Sequence, residues 1–322
     1  MNLMIKHVFI LNPAAGKGKM QSDLQSKIEH VCTARGVDFE IHHTGAPGEA
    51  TAFVRTTCEQ NPDLQLRFYA CGGDGTVSET VNGAYGFANA AVGIVPVGTG
   101  NDFVRNFEGK DAFLDIDAQL EGDTAMLDLM QYNGKLCANM INIGFDCEVV
   151  KQTAKLKRSK LIPKGMAYIA GLVVTLVRKP GVVARVSFDG GEPEQRRMLL
   201  TAIANGAWCG GGFHSNPLAL LSDGVLDTIL IRNVTRIRFI SLVGMYKKGT
   251  YVTNRGARRV IDYVKSHSVH YYFDGVQSIC VDGEITEVTD LEICAVRDAL
   301  RFVVPRGVTY EPTVQPVAAG SC

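Results

Sequence analysis

The pentapeptide Gly72-Gly-Asp-Gly-Thr76 limits the possible folds of this chain more than any other segment does. It follows a strand-like apolar run, Leu66 to Cys71, and precedes a helical pattern from Val77 to Tyr85. Glycines let a backbone turn tightly and approach an anion, and a following helix adds the positive end of its dipole. An acidic residue is unfavourable in such a loop unless it holds Mg²⁺ or orients a phosphoryl acceptor. The segment therefore predicts a nucleotide-phosphate loop in which Asp74 has a chemical task.

The first third of the chain alternates short apolar runs with helical patterns. This alternation predicts an α/β domain with a parallel sheet and helices on both faces. Three apolar runs end in glycine-bearing polar loops, which start at Asn12, Gly72 and Gly98. Ligands of such sheets bind beyond the carboxyl ends of the strands, so we expect a phosphate site there. The P-loop pattern and the dinucleotide fingerprint are both missing from the sequence.

After about Leu127 the chain changes to β-rich segments at hairpin spacing, which predicts a mainly antiparallel β domain decorated with helices. A length of 322 residues with 46% hydrophobic residues is enough for two cores. The expected boundary is near residue 130. The predicted strands of the second domain are 137–143, 182–188, 198–204, 228–231, 270–273 and 292–296, and the predicted helices are 154–177 and 235–249.

The charges balance to zero over the whole chain, which argues against general nucleic-acid binding, but they are unevenly spread. No acidic residue lies between Glu148 and Asp189, or between Asp227 and Asp262, while both windows are rich in Lys and Arg. In the first window, basic residues 151–164 precede an apolar helix, a composition typical of segments that touch anionic lipid. The alternative is that the helix packs into the core and the lysines are only solvated.

Other sequence features suggest a reduced protein without a transition metal or a membrane span. The nine cysteines form no CxxC pair, and the seven histidines show no zinc spacing. The apolar runs are shorter than the roughly 20 residues that a transmembrane helix needs. The start of the chain lacks the pattern of a secretory signal. We therefore expect a cytoplasmic protein.

Five motifs occur in the order found in the diacylglycerol kinase catalytic-domain family, which includes bacterial lipid kinases and the sphingosine and ceramide kinases. They are Asn12-Pro13 with Gly16, Gly72 to Thr76, Pro96-Val-Gly-Thr-Gly-Asn-Asp102, Pro217 through Asp223-Gly224, and Val281-Asp-Gly-Glu284. The chain resembles this family from residue 7 to about 305. The pentapeptide alone is shared with NAD kinases and phosphofructokinases, so the resemblance implies a first domain of their type.

The resemblance implies an ATP site, a Mg²⁺ site and a domain division. Similar enzymes bind ATP between the domains, with Gly100, Asn101 and Asp102 shaping the pocket. The residues expected around ATP are Asn12, Thr44, Gly72, Gly73, Asp74, Gly75, Thr76, Val77, Ser78 and Thr99. The Mg²⁺ ligands expected are the Asp223 carboxylate and the carbonyls of Leu220 and Val225. The implied domains are 1–130 with 300–322 returning to it, and 131–299, which carries the lipid and metal sites.

By resemblance the Asp282-Gly-Glu284 loop supplies a general base, because an alcohol needs a carboxylate to accept its proton at neutral pH. Asp282, Glu284 and Asp74 are the candidate catalytic residues, and which one is the base stays open. Asp223-Gly224 and Asp282-Gly283 could also be plain β-turns. Position 78 departs from the family, since relatives often carry Asn where this chain has Ser, and we expect altered nucleotide contacts there without loss of activity.

The implied function is phosphorylation of a lipid hydroxyl by ATP at a membrane surface, with diacylglycerol as the leading acceptor. The expected protein is cytoplasmic and peripherally bound to membranes, where anionic lipid is a possible partner and nucleic acid is not. Edge strands could pair into a homodimer. Two alternatives are a NAD kinase or other soluble-substrate kinase, and a catalytically idle regulator that binds nucleotide or lipid.

Overall fold

The computed structural model describes residues 4–13, 15, 18–157, 174–175 and 181–310, which form two compact units. The first unit contains the described residues up to Leu129, the short segment Leu221–Asp223 and the described residues from Val296 onward. The second unit consists of the described residues of Met130–Leu220 and of Gly224–Ala295. The chain therefore enters the first unit three times, once through a segment of only three residues.

The first unit alternates strands with helices, as the periodicity of its sequence requires. Its elements are β1 (Ile5–Leu11), α1 (Gly18–Arg35), β2 (Asp38–His43), α2 (Glu49–Gln60), β3 (Gln65–Gly72), α3 (Asp74–Ala84), β4 (Ala90–Pro96), α4 (Ile116–Leu120) and most of β5 (Asp123–Tyr132). Strand β1 pairs in parallel with both β2 and β3, and β3 pairs in parallel with β4. The carboxyl ends of these four strands therefore lie along one edge of the sheet.

The core of the first unit is built from the apolar strand residues that sequence analysis used to identify the strands. Phe9, Tyr69 and Val95 are fully buried, and the rings of Phe9 and Tyr69 stack with their centroids 4.6 Å apart. Strands buried on both faces read as nearly continuous apolar runs, which is why β1, β3 and β4 were easy to recognise. This packing fixes the strand ends, and with them the polar loops that follow.

The second unit is strand-rich, and its strands pair antiparallel. Its elements are β6 (Lys135–Cys137), β7 (Met140–Gly144), α5 (Phe145–Lys157), β8 (Val182–Phe188), β9 (Glu194–Ala204), β10 (Leu226–Arg232), α6 (Arg236–Lys248), β11 (Ile261–Ser266), β12 (Ser268–Val281) and β13 (Glu284–Val304). The order of its main path is β11-β10-β9-β7-β12-β13, and β8 pairs with both β9 and β12. The last part of β13 belongs to the first unit, where Phe302 pairs in parallel with Val92.

Several predicted elements need correction. Helix α3 begins at Asp74 instead of Val77, because the second half of the glycine-rich loop already forms the first helical turn. The strand predicted at 137–143 is two strands, β6 and β7, and the short strands predicted at 270–273 and 292–296 are parts of the much longer β12 and β13. The predicted helix 154–177 lies largely outside the described residues, and the described helix there, α5, starts earlier, at Phe145.

The sequence predicted that the chain has no membrane-spanning helix and that its cysteines are reduced. In the described part of the chain, no helix is both long enough and apolar enough to cross a bilayer. The cysteines described by the structure, from Cys32 to Cys294, carry free thiols. Burial raises the pKa of the thiols of Cys58 and Cys147 to about 12, which keeps them protonated and unreactive at neutral pH.

A partly buried hydrogen bond joins helices α5 and α6 of the second unit. The hydroxyl of Tyr246 on α6 donates to a carboxylate oxygen of Asp146 on α5 over 3.0 Å. Burial raises the pKa of Asp146 to about 6, although the hydrogen bond from Tyr246 acts in the opposite direction. A carboxyl group that is easier to protonate in the folded state favours folding at low pH.

Asp146 should make the stability of the second unit depend on pH between about 4 and 6. Its folded-state pKa lies above its unfolded value, so its contribution is fully present below about pH 4 and is lost as the pH rises through 6. Replacing it with Asn should remove a pH-dependent contribution to the unfolding free energy on the order of 3 kcal/mol. The measurement is urea unfolding of wild type and Asp146→Asn across this range, with Asp274→Asn, an exposed aspartate of the same unit, as control. Parallel pH curves for wild type and Asp146→Asn would contradict the assignment.

Candidate active site

The junction between β3 and α3 is a tight backbone turn made possible by glycine. Gly72 ends the strand, Gly73 stands before the helix, and the N–H groups of Thr76 and Val77 both donate to the Gly73 carbonyl, over 3.0 and 3.2 Å. A Cβ on Gly72 would lie 2.2 Å from the Thr76 hydroxyl oxygen, so no side chain fits there. The buried strand therefore leads into the positive end of α3 within two residues.

The loop after β4 lies directly against this turn. The Gly98 N–H donates to the Gly72 carbonyl over 3.0 Å, which continues the pairing of β3 and β4 beyond the strand ends. A Cβ on Gly98 would lie 2.3 Å from the Gly73 Cα, and a Cβ on Gly100 would lie 2.5 Å from the Asp74 carboxylate. Glycine is required at position 98 because the two loops touch backbone to backbone there, and at position 100 a side chain would collide with the Asp74 carboxylate.

The Asp74 carboxylate is tied to the second loop. It accepts a hydrogen bond from the Asp102 N–H over 3.1 Å. Asn101 adopts the left-handed conformation, with φ +50°, and its side-chain amide donates to the carbonyls of Pro96 and Gly98. The Asp102 carboxylate lies 3.3 Å from the Arg105 guanidinium. The residues expected to shape the pocket thus fix the loop that holds Asp74 in place.

The first polar loop joins the other two through Asn12. Its side-chain amide donates to the Thr76 hydroxyl over 3.0 Å, and its N–H donates to the Cys71 carbonyl over 3.2 Å. Thr44 lies at the end of β2, where its N–H and hydroxyl both donate to the Leu11 carbonyl. The structure therefore brings Asn12 and the β3–α3 turn into direct contact and places Thr44 on the same edge of the sheet.

The remaining predicted nucleotide residues differ in exposure. Thr99, between the two close-packed glycines of the second loop, is exposed, while Ser78 in the second turn of α3 is half-buried. Val77 is buried, and its predicted contact with the nucleotide stays a prediction. Glycine loops beside a helix N-terminus are a common arrangement for binding phosphate groups in proteins.

The predicted metal segment contains one carboxylate. Asp223 and Val225 are half-buried. The carbonyl of Leu221 accepts from the Asp128 N–H over 2.7 Å, and the carbonyl of Gly224 lies 3.0 Å from the His267 ring. Among the residues that the structure describes, no three His, Cys, Asp or Glu side chains form a metal-binding cluster. The expected ligand set, with Leu220 and Val225 as carbonyl donors, stays a prediction.

The Asp282-Gly283 pair is the tip of the hairpin between β12 and β13. Val281 pairs with Glu284 across the turn, and both turn residues have positive φ, +45° and +93°. Two-residue hairpin loops with positive φ at both positions match the twist of the strands, and Asp-Gly is a preferred sequence for them. The interpretation of this motif as a plain β-turn is therefore correct for its backbone.

The Asp282 carboxylate anchors the turn to the segment between β6 and β7. It accepts from the N–H groups of Ala138, Asn139 and Met140, over 3.0, 3.2 and 2.8 Å. Burial raises the pKa of Asp282, and these backbone donors together with the Cys137 thiol oppose that rise. Most of the acceptor positions of this carboxylate are therefore already used by the protein.

Glu284, at the start of β13, is exposed, in contrast to Asp282. Two buried asparagines near this turn, Asn139 and Asn205, were not among the residues predicted from the sequence. Asn139 is buried and donates to the Trp208 carbonyl over 2.8 Å, and Asn205 is buried and donates to the Ala138 carbonyl over 3.1 Å. The signal was an asparagine at the end of each of two apolar runs, where a buried amide must find a partner.

The first basic window lies largely outside the described residues. Of its described lysines, Lys151 donates to the Ser278 hydroxyl over 2.9 Å and lies 3.9 Å from Glu148. The apolar helix predicted to follow, 166–177, also lies largely outside the described residues. For Lys151 the structure therefore supports a role within the protein.

Gly98→Ala should destabilise the first unit because the new methyl group would lie 2.3 Å from the Gly73 Cα. Backbone atoms cannot move away as a flexible side chain can, so we expect a loss of about 1–3 kcal/mol or more in unfolding free energy. Gly244→Ala on α6 is the matched control, since no heavy atom lies within 4 Å of its Cβ position. Denaturant unfolding measures both, and equal stabilities would refute the close contact.

Comparison with known proteins finds two family models that match successive parts of the chain. The model of the diacylglycerol kinase catalytic domain matches residues 6–132, and the model of the YegS C-terminal NAD kinase beta sandwich-like domain matches residues 139–304. Together they support the predicted two-domain architecture, with strands dominating the second domain.

Relatives align over nearly the whole chain. A diacylglycerol kinase of Bacillus subtilis is 26% identical over 303 residues, which cover 92% of this chain and 95% of that protein. A diacylglycerol kinase of Mycobacterium tuberculosis is 27% identical over 308 residues, covering 92% and 94%. The structure of a diacylglycerol kinase from Bacillus anthracis matches with a TM-score of 0.69 at 20% identity, covering 96% of this chain and all of that one. The two-domain match from residue 6 to residue 304 means that this chain belongs to the diacylglycerol kinase catalytic-domain family.

Proposed function

We propose that this protein is a lipid kinase that transfers the γ-phosphate of ATP to a lipid hydroxyl, with diacylglycerol as the leading acceptor and phosphatidic acid as its product. The observation that carries the proposal is the contact between the two glycine loops of the first unit, where the Gly98 N–H meets the Gly72 carbonyl at 3.0 Å. Membership in a kinase family supports phosphate binding as the function of these two loops.

The first unit is proposed to hold ATP by its backbone. The start of α3 would offer N–H groups and a positive dipole to the phosphates. Asn12 holds the Thr76 hydroxyl, so the turn keeps its shape when a phosphate binds. Asp74 is held by the neighbouring loop through the Asp102 N–H, which fixes a carboxylate beside this surface.

Four residues are proposed to hold Mg²⁺. They are Asp74 and Asp223 through their carboxylates, and Leu220 and Val225 through their carbonyls. Oxygen ligands of this kind are what Mg²⁺ prefers. When bound, the ion would neutralise charge on the phosphoryl oxygens during transfer.

Glu284 is proposed as the general base. The acceptor hydroxyl gives its proton to the Glu284 carboxylate as its oxygen forms a bond to the γ-phosphorus, and the bond from that phosphorus to the bridging oxygen breaks to release ADP. Asp282 is less suited to this task because its carboxylate already accepts three backbone N–H groups. Its role is to position the turn on which Glu284 stands.

Glu284→Gln should lower kcat by about 10²–10⁴-fold with little change in the KM for ATP, because it removes the proton acceptor and leaves the first unit intact. Glu287→Gln, an exposed glutamate three residues further along β13, is the matched control and should keep wild-type turnover. Steady-state kinetics with diacylglycerol in mixed micelles measure both variants. Full activity of Glu284→Gln would exclude it as the base.

Asp282→Asn should behave differently from Glu284→Gln. The three backbone N–H groups lose a charged acceptor, so the melting temperature should fall, and turnover should fall because the turn is misplaced. Asp282→Asn should therefore lower both the melting temperature and turnover, whereas Glu284→Gln should lower turnover and leave the melting temperature unchanged. The opposite pattern would make Asp282 the base, and full activity in both variants would remove this loop from the mechanism.

A kinase with a soluble acceptor is the second candidate, since the matched second-domain model is named for its likeness to the NAD kinase beta sandwich. Phosphorylation of NAD in solution without detergent would favour that function. The proposal of a lipid acceptor has the support of the relatives, whose names specify diacylglycerol kinases.

A further inference from the structure

Helix α6 exposes two large apolar side chains on the face opposite to its core contacts. Ile237 is 84% exposed and Ile240 is 59% exposed. The other face of the helix carries Phe239, Leu242 and Tyr246, which are buried in one of the apolar clusters of the second unit. Because residues three apart lie on the same face of a helix, the two isoleucines are neighbours on the outer surface.

Basic side chains surround these isoleucines. The exposed residues Arg236 and Arg238 flank Ile237 along the chain, and Lys247 and Lys248 are exposed at the other end of the helix. The guanidinium of Arg238 donates to the Gly256 carbonyl over 2.9 Å, which ties α6 to the short helical turn Ala257–Arg259. That turn adds Arg258 and Arg259, both exposed.

Acidic residues are absent from this part of the sequence, since none occurs between Asp227 and Asp262. Asp262, at the end of that window, lies 3.1 Å from Arg232 and 3.7 Å from Arg196, and Asp227 is paired with Lys265 over 3.0 Å. Both bordering carboxylates therefore lie close to other cations. The segment 228–261, which contains Ile237 and Ile240, therefore exposes apolar side chains together with basic charge and carries no acidic residue.

We propose that this surface docks on an anionic lipid membrane. We call it the α6 surface, and its members are Ile237, Ile240, Arg236, Arg238, Lys247, Lys248, Arg258 and Arg259. A helix that lies in a membrane interface has apolar side chains on one face and Lys or Arg around them, as α6 has. Nucleic acid would leave the central isoleucines without a partner. The inference rests on the proposed function to the extent that a lipid substrate explains why the protein approaches a membrane.

Binding to sucrose-loaded vesicles, measured by sedimentation without ATP, tests the docking surface directly. Wild type should bind vesicles that contain phosphatidylglycerol and should bind pure phosphatidylcholine vesicles far more weakly. Ile237→Ser with Ile240→Ser should bind phosphatidylglycerol vesicles at least about tenfold more weakly. Leu114→Ser, which changes a leucine of the first unit that is 46% exposed, is the matched control and should bind within twofold of wild type.

The charges are tested separately. Arg258→Gln with Arg259→Gln should weaken vesicle binding by about tenfold or more at low salt, and the difference from wild type should shrink at high salt. All of these side chains are exposed, so circular dichroism and the melting temperature should be unchanged. The proposal is overturned if wild type ignores anionic vesicles, if the isoleucine variant binds them as wild type does, or if that variant instead changes the oligomeric state, which would identify a contact between copies.

Turnover with a water-soluble, short-chain diacylglycerol separates this proposal from the proposed function. The isoleucine variant should retain wild-type turnover with that acceptor and lose it only with diacylglycerol in vesicles. If the protein phosphorylates no lipid but its vesicle binding depends on Ile237 and Ile240, the kinase proposal fails and the docking surface stands. If it phosphorylates short-chain diacylglycerol but binds vesicles independently of these residues, the docking surface fails.

Discussion

The contact between the ends of β3 and β4 is the constraint on which the first unit depends. Parallel pairing of the two buried strands continues into their loops, where the Gly98 N–H donates to the Gly72 carbonyl over 3.0 Å. Glycine is imposed at position 98 because a Cβ there would lie 2.3 Å from the Gly73 Cα, and at position 72 because a Cβ there would collide with the Thr76 side chain. The same backbone approach leaves N–H groups and a helix start at the edge of the sheet. The contact that fixes the fold therefore also fixes the loops of the proposed phosphate site.

A second constraint acts within the strand-rich unit, at the turn between β12 and β13. Asp282 stabilises the fold there, because its carboxylate accepts hydrogen bonds from three backbone N–H groups. Glu284 lies two residues later, at the start of β13, and its side chain is exposed. Two acidic residues in one short motif thus have different environments, and this difference is the basis for proposing different roles for them.

The sequence predicted features governed by local chemistry and missed those governed by distant contacts. Buried strands and glycine turns were recognisable because their residue types follow from burial and backbone conformation. The lengths of β12 and β13 were not, because one face of each strand is largely solvated and its polar residues hide the continuous hairpin. The contacts of Asp282 join residues more than 140 positions apart, and no local pattern encodes them.

The central claim is that the protein moves the γ-phosphate of ATP to a lipid hydroxyl. It is tested most directly by incubating the protein with γ-labelled ATP and Mg²⁺ in mixed micelles that each contain one lipid alcohol, with NAD and water as competing acceptors. The account predicts label on a lipid, with diacylglycerol as the leading candidate, and none on NAD. Label on NAD alone would assign the protein to soluble-acceptor kinases, and label on no acceptor would contradict the claim of phosphoryl transfer.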